Sequence, residues 1–308
     1  MSKRPYGTQR NSDRPRAWGG ARPEGGRTEG RDKPDSRSSG RDDRETRGEN
    51  RYERSSPAED GPPLIFGVHA ADAALRNAKR RIVQAFVTEN GENRLKDAIA
   101  ARNAGAGLTL THVTPRDLDR RLGSDTVHQG ILLEVEPLPE PTLEELADLP
   151  DSAGPLLVLD QVTDPHNVGA ILRSAAVFGA QGVIMTRRHS PPLGGALAKS
   201  ASGALEYVPI VLVPNLARAM AELGKLAYHR IGLDGTGENT IEGETLTGRI
   251  ALVLGSEGRG LRQLTQEHCD VLARISGSGG LGSLNVSNAA AVTLHLASLR
   301  RSGANAKP

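Results

Sequence analysis

Apolar positions are distributed unevenly along this chain, and the pattern changes sharply near residue 60. Positions 1–60 hold no Leu, Ile, Val or Phe. From Leu64 onward, short apolar runs alternate with stretches of helical periodicity. Leu64–Val68 opens the ordered part, and a helix follows over 70–77. Ile82–Val87 reads as a strand. Arg94–Ala104 reads as a helix stopped by Gly105 and Gly107. Leu108–Val113 alternates apolar and polar residues and predicts a strand. Thr114 and Pro115 start a helix as N-cap and first helical position. Ile131–Val135 is a further strand. This small α/β unit ends near Leu138.

Residues 137–155 are rich in Pro, Glu, Asp and Leu, and read as a linker carrying a short acidic helix around Leu143–Leu149. A continuous apolar strand then begins at Leu156–Leu159. Strands follow at Gly182–Thr186, Val208–Val213, Tyr228–Leu233, Ile250–Leu254 and Val271–Ile275. Helices alternate with them at 167–178, 194–202, 215–224, 261–268 and 286–300. Near-continuous apolar strands bounded by helices predict an α/β domain with a parallel sheet covered on both faces.

Composition separates the two parts further. Of 39 Lys+Arg and 37 Asp+Glu in 308 residues, the first sixty residues hold 15 basic and 12 acidic ones. The remainder therefore holds 24 and 25. A segment without apolar residues cannot offset the entropy of ordering it, so residues 1–62 read as a disordered Arg/Gly-rich tail. Tyr6, Trp18 and Tyr52 among its arginines suit a loose RNA-binding arm or a solvated tail. No apolar run follows Lys3 and Arg4, so the start does not read as a signal peptide. No stretch approaches the roughly 18 apolar residues of a membrane span. The single cysteine, Cys269, excludes an internal disulfide and a multi-cysteine zinc site. His69, His128 and His166 lack metal-like spacing and read as capping, packing or RNA-facing residues. The chain reads as cytoplasmic.

Three stretches of the second part carry candidate chemistry. The first runs from Asp164 through Pro165, His166, Asn167 and Gly169 to Arg173, at a strand-to-helix junction. Ile171, Ala175 and Phe178 form the core stripe of that helix. Arg173 lies off the stripe, and Asn167 sits near the helix start, as an N-cap or a ligand contact. The second is Leu252–Leu261, where a buried strand runs into Gly255, Gly258 and Gly260 around Glu257. Such a loop at a strand's C-terminal end is where open α/β sheets place ligands, although it also suits a plain tight turn. The third is Ile275–Ser287, which leads into an Ala-rich helix. It contains a literal G-x-G-x-x-G at Gly277, Gly279 and Gly282. The dinucleotide reading fails on context, since no second strand with an acidic residue follows.

Taken together, the Asn167–Arg173 stretch, Leu-Val-Leu-Gly-Ser-Glu-Gly-Arg-Gly260 and Ser283-Leu-Asn-Val-Ser287 resemble the SpoU branch of the SPOUT RNA methyltransferases over about 155–303. Residues 63–138, through Ile65–Ala70 and Val127–Ile131, resemble the ribosomal-protein-like RNA-binding domain at the N-terminus of bacterial 23S ribosomal RNA guanosine-2′-O-methyltransferases. The resemblance implies a small α/β substrate-binding domain, a linker over 139–154 and a catalytic SPOUT domain with a deep trefoil knot, an exception to the usual unthreaded chain. It implies S-adenosylmethionine as methyl donor, contacted at Gly255, Ile275 and Leu284, and a homodimer acting on RNA without a metal. Asn167, Arg173, Glu257, Ser283 and Asn285 match the active-site motif positions. One departure stands out, because the family usually has Ile-Pro-Met where this chain has Ile275-Ser276-Gly277. This loosens the cofactor loop.

The implied reaction moves a methyl group to a ribose 2′-hydroxyl, that of a guanosine in 23S ribosomal RNA. Alignment of reactants can supply roughly 7–11 kcal/mol of such a barrier. Arg173 suits a phosphate grip or an oxyanion partner better than a base, because a guanidinium rarely loses its proton, and direct base action stays open. Clusters at Arg76, Lys79, Arg80 and Arg81, at Arg116, Arg120 and Arg121, and at Arg187 and Arg188 suit RNA contact or solvated faces. Two further readings stay open: a tRNA ribose 2′-O-methyltransferase, and a non-catalytic RNA-binding ribosome-assembly factor. Only five aromatics follow residue 60, so recognition should lean on shape, phosphates and hydrogen bonds.

Overall fold

A computed structural model describes residues 61–105, 107–148, 150, 153–279 and 284–305. The tail expected over 1–62 therefore lies, up to residue 60, outside the described residues, as does Ser283.

The first sheet has the order β1-β4-β2-β3, built from β1 (Leu64–Phe66), β2 (Ile82–Val87), β3 (Leu110–His112) and β4 (Ile131–Val135). Strand β4 is antiparallel to β1 and β2, and β3 is parallel to β2. Alternate side chains of β2 and β4 part to two sides. Ala85, Val87, Ile131 and Leu133 meet helices α1 (Val68–Arg76) and α2 (Glu89–Gly105). Phe86 and Leu132 meet Leu118 of α3 (Pro115–Leu122). Thr114 caps α3 in a capping box with Asp117, the outcome its Thr-Pro start dictates.

Helix α2 begins five residues before the expected Arg94. Thr88 Oγ1 accepts from the Gly91 N–H at 3.1 Å and so caps the helix start. Gly91 lies in the first turn of this helix. Here it leaves room for the Gly130 carbonyl, which would collide with any Cβ at that position.

The second sheet has seven strands in the order β7-β6-β5-β10-β8-β11-β9, and every pair is parallel. They are β5 (Leu156–Asp160), β6 (Gly182–Thr186), β7 (Ile210–Val213), β8 (His229–Leu233), β9 (Asn239–Thr240), β10 (Ile250–Gly255) and β11 (Val271–Arg274). Its two faces are filled by alternate residues, as the period of two requires. Leu157, Leu159, Leu252 and Leu254 face helices α5 (Pro165–Phe178) and α9 (Val286–Asn305). Leu156, Val158, Ala251 and Val253 face α4 (Leu143–Ala147) and α7 (Leu216–Lys225). Both faces are covered, which is why the central strands β5 and β10 are apolar at successive positions, 156–159 and 250–254. The segment read as a linker thus contributes to the second core, with Leu143, Leu146 and Ala147 buried.

The remaining helices of the described residues are α6 (Gly195–Ser200) and α8 (Gln263–Glu267). Strand β9 escapes prediction because it is two polar-leaning residues long and pairs only with the end of β11. None of the described helices is long and apolar enough to cross a membrane.

The two sheets are joined by a buried ion pair. Arg80, expected among RNA-facing charges, is 2% exposed and pairs with Glu206, also 2% exposed, at 2.8 Å. Asn77 Nδ2 donates to the same carboxylate at 2.8 Å, and Arg80 donates to the Glu136 carbonyl at 2.8 Å.

Candidate active site

Strands β10, β8 and β11 end level with one another. Leu254 pairs with Leu233, and Leu233 with Ala273. Gly255, the last residue of β10, and Ile275, the first after β11, therefore lie at the C-terminal edge of two strands flanking β8, at the side where parallel sheets gather ligands.

The loop after β10 folds back on itself. Gly260 N–H donates to the Ser256 carbonyl at 2.9 Å, and Gly258 and Gly260 adopt φ of +80° and +66°. A Cβ on Gly255 would overlap backbone atoms of Gly260 and Leu261. The glycine spacing is thus dictated first by this tight return, which presents the exposed Glu257 at its tip.

Asp160 fixes the loop from below. It is fully buried at the end of β5, level with Gly255. Its carboxylate accepts from the Arg262 backbone N–H at 3.0 Å and from Arg262 Nε at 2.6 Å. The sequence reading missed both residues. Their one visible signal is a carboxylate closing an otherwise apolar strand.

Helix α5 starts with Asp164 as N-cap, its side chain accepting from the His166 N–H at 2.9 Å. Asn167 is therefore not the cap, and its amide is available for other contacts. Asn285 Nδ2 donates to Asn167 Oδ1 at 3.0 Å and also to Glu257 Oε1. Asn285 Oδ1 accepts from the Ser287 N–H at 2.8 Å and its hydroxyl at 2.5 Å. Three of the predicted catalytic residues thus meet at one amide, drawn from α5, the glycine loop and the start of α9.

Arg173 is not among these contacts. It lies six residues beyond Asn167, about 9 Å along the helix axis. It is exposed while Ile171, Leu172 and Ala175 are buried. It makes no hydrogen bond or ion pair to any described residue, which leaves its five donors free for a ligand. Of the predicted cofactor contacts, Gly255 and Ile275 are partly buried and Leu284 is half exposed at 51%. Ser283 lies outside the described residues.

Most of the basic clusters are neutralised by neighbours. Arg76 pairs with Asp72, Arg81 with Glu136, Arg120 with Asp117 and Arg187 with Glu140. Arg121 lies 4.1 Å from the Phe86 ring centre, in cation–π contact. The words Ile65–Ala70 and Val127–Ile131 turn out to be in contact. Gln129, at φ +57°, accepts the Val68 N–H at 2.9 Å, and His128 Nδ1 accepts the Gly130 N–H at 3.0 Å. His128 is a packing residue, and His69 and His166 are exposed. Cys269 is partly buried. No cluster of three or more potential metal ligands occurs among the described residues.

A seven-stranded parallel sheet with a polar amide cluster and a glycine loop at its carboxyl edge defines a ligand-binding α/β domain. The profile of the SpoU rRNA Methylase family matches residues 154–295, and that of the RNA 2′-O ribose methyltransferase substrate-binding domain matches residues 64–141. The chain is 39% identical over 233 residues to the 23S rRNA (guanosine-2′-O-)-methyltransferase RlmB of Pseudomonas aeruginosa, covering 75% of this chain and 93% of that one. It is 38% identical over 241 residues to the RlmB of Escherichia coli K12, covering 78% and 99%. The SpoU methyltransferase AviRb of Streptomyces viridochromogenes, solved in complex with the cofactor AdoMet, superimposes with a TM-score of 0.65 at 24% identity, over 78% of this chain and 90% of that one. The chain belongs to the SpoU rRNA methylase family.

Proposed function

We propose that this protein transfers a methyl group from S-adenosylmethionine to the 2′-hydroxyl of a guanosine in 23S ribosomal RNA. The observation that carries the reading is the convergence of Asn167, Glu257 and Asn285 on one amide, with Arg173 further along the same helix and without a partner among the described residues. The curated relatives bear that activity in their names and share both halves of the chain. In this reading residues 63–138 bind the RNA, 139–154 link, and 155–303 form the catalytic domain. The chain past β10 makes a deep trefoil knot, supported by the order β5-β10-β8-β11 with α9 packed on α5. The setting is the cytoplasm, where ribosomal RNA is modified.

The donor site fits the residues present. Gly277 and Gly279 have open space where a Cβ would stand. Gly255 and Ile275 offer backbone groups at the sheet edge, and Leu284 offers an exposed apolar surface. Gly255, Ile275 and Leu284 would hold the donor. When bound, it supplies a methyl on a sulfonium, whose sulfur leaves as a neutral thioether.

The chain's own residues do the rest. Asn285 holds Glu257 and Asn167 in one arrangement, so each amide or carboxylate faces the ribose without reorganising. Ser283, which lies outside the described residues, is a further member of the proposed catalytic set by its place in the motif. Arg173 grips a phosphate flanking the target and stabilises the negative charge that develops on the 2′-oxygen as its proton passes to solvent water and the oxygen bonds to the methyl carbon. No metal is invoked in this scheme. A homodimer is supported by Val177 (76% exposed) on α5 and by Val292 (44%) and Leu299 (56%) on α9, an apolar patch beside the Phe178–His295 ring contact.

Mapping of 2′-O-methyl sites in ribosomal and transfer RNA from a deletion strain tests the reading. Loss at one 23S guanosine is expected. Loss confined to tRNA, or no loss at all, contradicts it.

A further inference from the structure

In the loop that leads from β11 to α9, Ser276 is held by a double hydrogen bond near its start, and Asn285 is held at its end. Ser276 N–H donates to Glu242 Oε1 at 3.2 Å, and Ser276 Oγ donates to Glu242 Oε2 at 2.9 Å. One carboxylate therefore takes both donors of one residue. Glu242 sits in a short 3-10 turn, Ile241–Gly243, whose Ile241 is fully buried. Arg300 of α9 donates to the Glu242 carbonyl at 2.7 Å. Arg274, the last residue of β11, donates to the Gly237 carbonyl at 2.6 Å and the Glu238 carbonyl at 2.5 Å. The segment 237–243 is thus tied to β11, to Ser276 and to α9 at once.

Over the three residues after Ser276 the loop carries nothing comparable. Gly277, Ser278 and Gly279 are exposed, and no heavy atom lies within 4 Å of a Cβ built on either glycine. Ser276 is the last fixed point before a stretch rich in glycine, where backbone entropy is greatest. Burial works against ionisation of Glu242. Hydrogen bonds from its own backbone N–H and from Ser276, together with the charge of Arg274, outweigh it and hold the carboxyl below its ordinary value.

We propose that Glu242 is a positioning residue for the methyl donor: through its double hydrogen bond to Ser276 it fixes the backbone of Ile275 and Ser276 in the orientation that receives the cofactor. This rests on the proposed donor site at Gly255, Ile275 and Leu284. The pair does in this chain by hydrogen bonding what a stiff residue at position 276 would do by covalent restriction. The carboxylate touches neither substrate nor donor, so its effect falls on binding and not on the chemical step.

The test is calorimetric titration of the full-length protein with S-adenosylmethionine, for wild type, Glu242→Ala, Ser276→Ala and the double variant, with kcat measured at saturating donor. Glu242→Ala is expected to raise the donor Kd about tenfold, the scale of losing charge-assisted hydrogen bonds at a partly exposed site. Ser276→Ala, which keeps its N–H, is expected to raise it less. The double variant should match Glu242→Ala alone, because both changes break one interaction. The kcat should hold within about twofold. Ser276 is exposed, so its variant folds irrespective of Glu242. Unchanged donor affinity in both single variants, additive losses, or a fall in kcat with constant Kd overturns the assignment and leaves the donor site standing. A wild-type protein that does not bind the donor overturns both.

Discussion

Asn285 Nδ2 donates to Asn167 Oδ1 at 3.0 Å, joining the start of α9 to the first turn of α5 across 118 positions of sequence. The same amide reaches Glu257. A neutral amide donor is what allows one side chain to satisfy an amide oxygen and a carboxylate together. Asn285→Asp replaces that donor with a second carboxylate facing Glu257, and should lower kcat about 10²-fold, the scale of a lost oriented donor. Donor Kd should change by less than threefold, about 0.6 kcal/mol. Steady-state methylation and calorimetry on one preparation separate the two effects.

Arg80 and Glu206 set the relation of the two sheets. Removing one partner of a buried pair leaves an uncompensated charge, which typically costs about 3–5 kcal/mol. Glu206→Ala is therefore expected to lower the urea midpoint markedly and to increase proteolysis between residues 137 and 155. The exposed Arg81–Glu136 pair provides the contrast, and Glu136→Ala should change stability by less than about 1 kcal/mol. Equal effects of the two variants would contradict the assignment of the lock.

Gly255→Ala tests the loop. The added methyl has no room against the backbone of Gly260 and Leu261, so the return of the loop must open and Glu257 must move. Donor binding and activity should both be lost, while the far-UV circular dichroism of the sheet persists. Full activity in this variant would show that the loop tolerates displacement.

Cys269 is not a nucleophile in the folded protein. Burial pushes its thiol up to about 12, against the pull of Arg230. At pH 8 the thiolate fraction is then on the order of 10⁻⁴, so alkylation by iodoacetamide should be about a thousandfold slower than in the unfolded chain. Rapid labelling of the native protein by mass spectrometry would contradict this.

Much of this arrangement is legible in the sequence for physical reasons. Strands β2, β4 and β6 are bounded by turn residues and mostly apolar, so their ends are sharp. Thr114-Pro115 announces a cap because both residues act locally. Long-range requirements stay hidden. The early start of α2 depends on Thr88 and on Gly91 giving way to Gly130, a partner 39 positions later. Arg80 reads as a surface charge until Glu206 buries it, and no local pattern reports a partner 126 residues away. In the site, the three motifs point to Asn167, Glu257 and Asn285, but periodicity alone does not join them. The cap role that suits Asn167 belongs to Asp164, whose oxygen sits at the right place in the turn. Asp160 and Arg262 escape because one carboxylate at a strand end carries no spacing signal.

The most direct test of the central claim is methyl transfer from radiolabelled S-adenosylmethionine to 23S ribosomal RNA taken from a deletion strain, comparing wild type with Arg173→Ala. Wild type should add one methyl per molecule at a guanosine 2′-hydroxyl. Arg173→Ala should lose activity by about 10²–10³-fold, as when a donor to a developing oxyanion is removed, with donor Kd unchanged. Transfer by Arg173→Ala at the wild-type rate, or no transfer to 23S RNA by wild type, would contradict it.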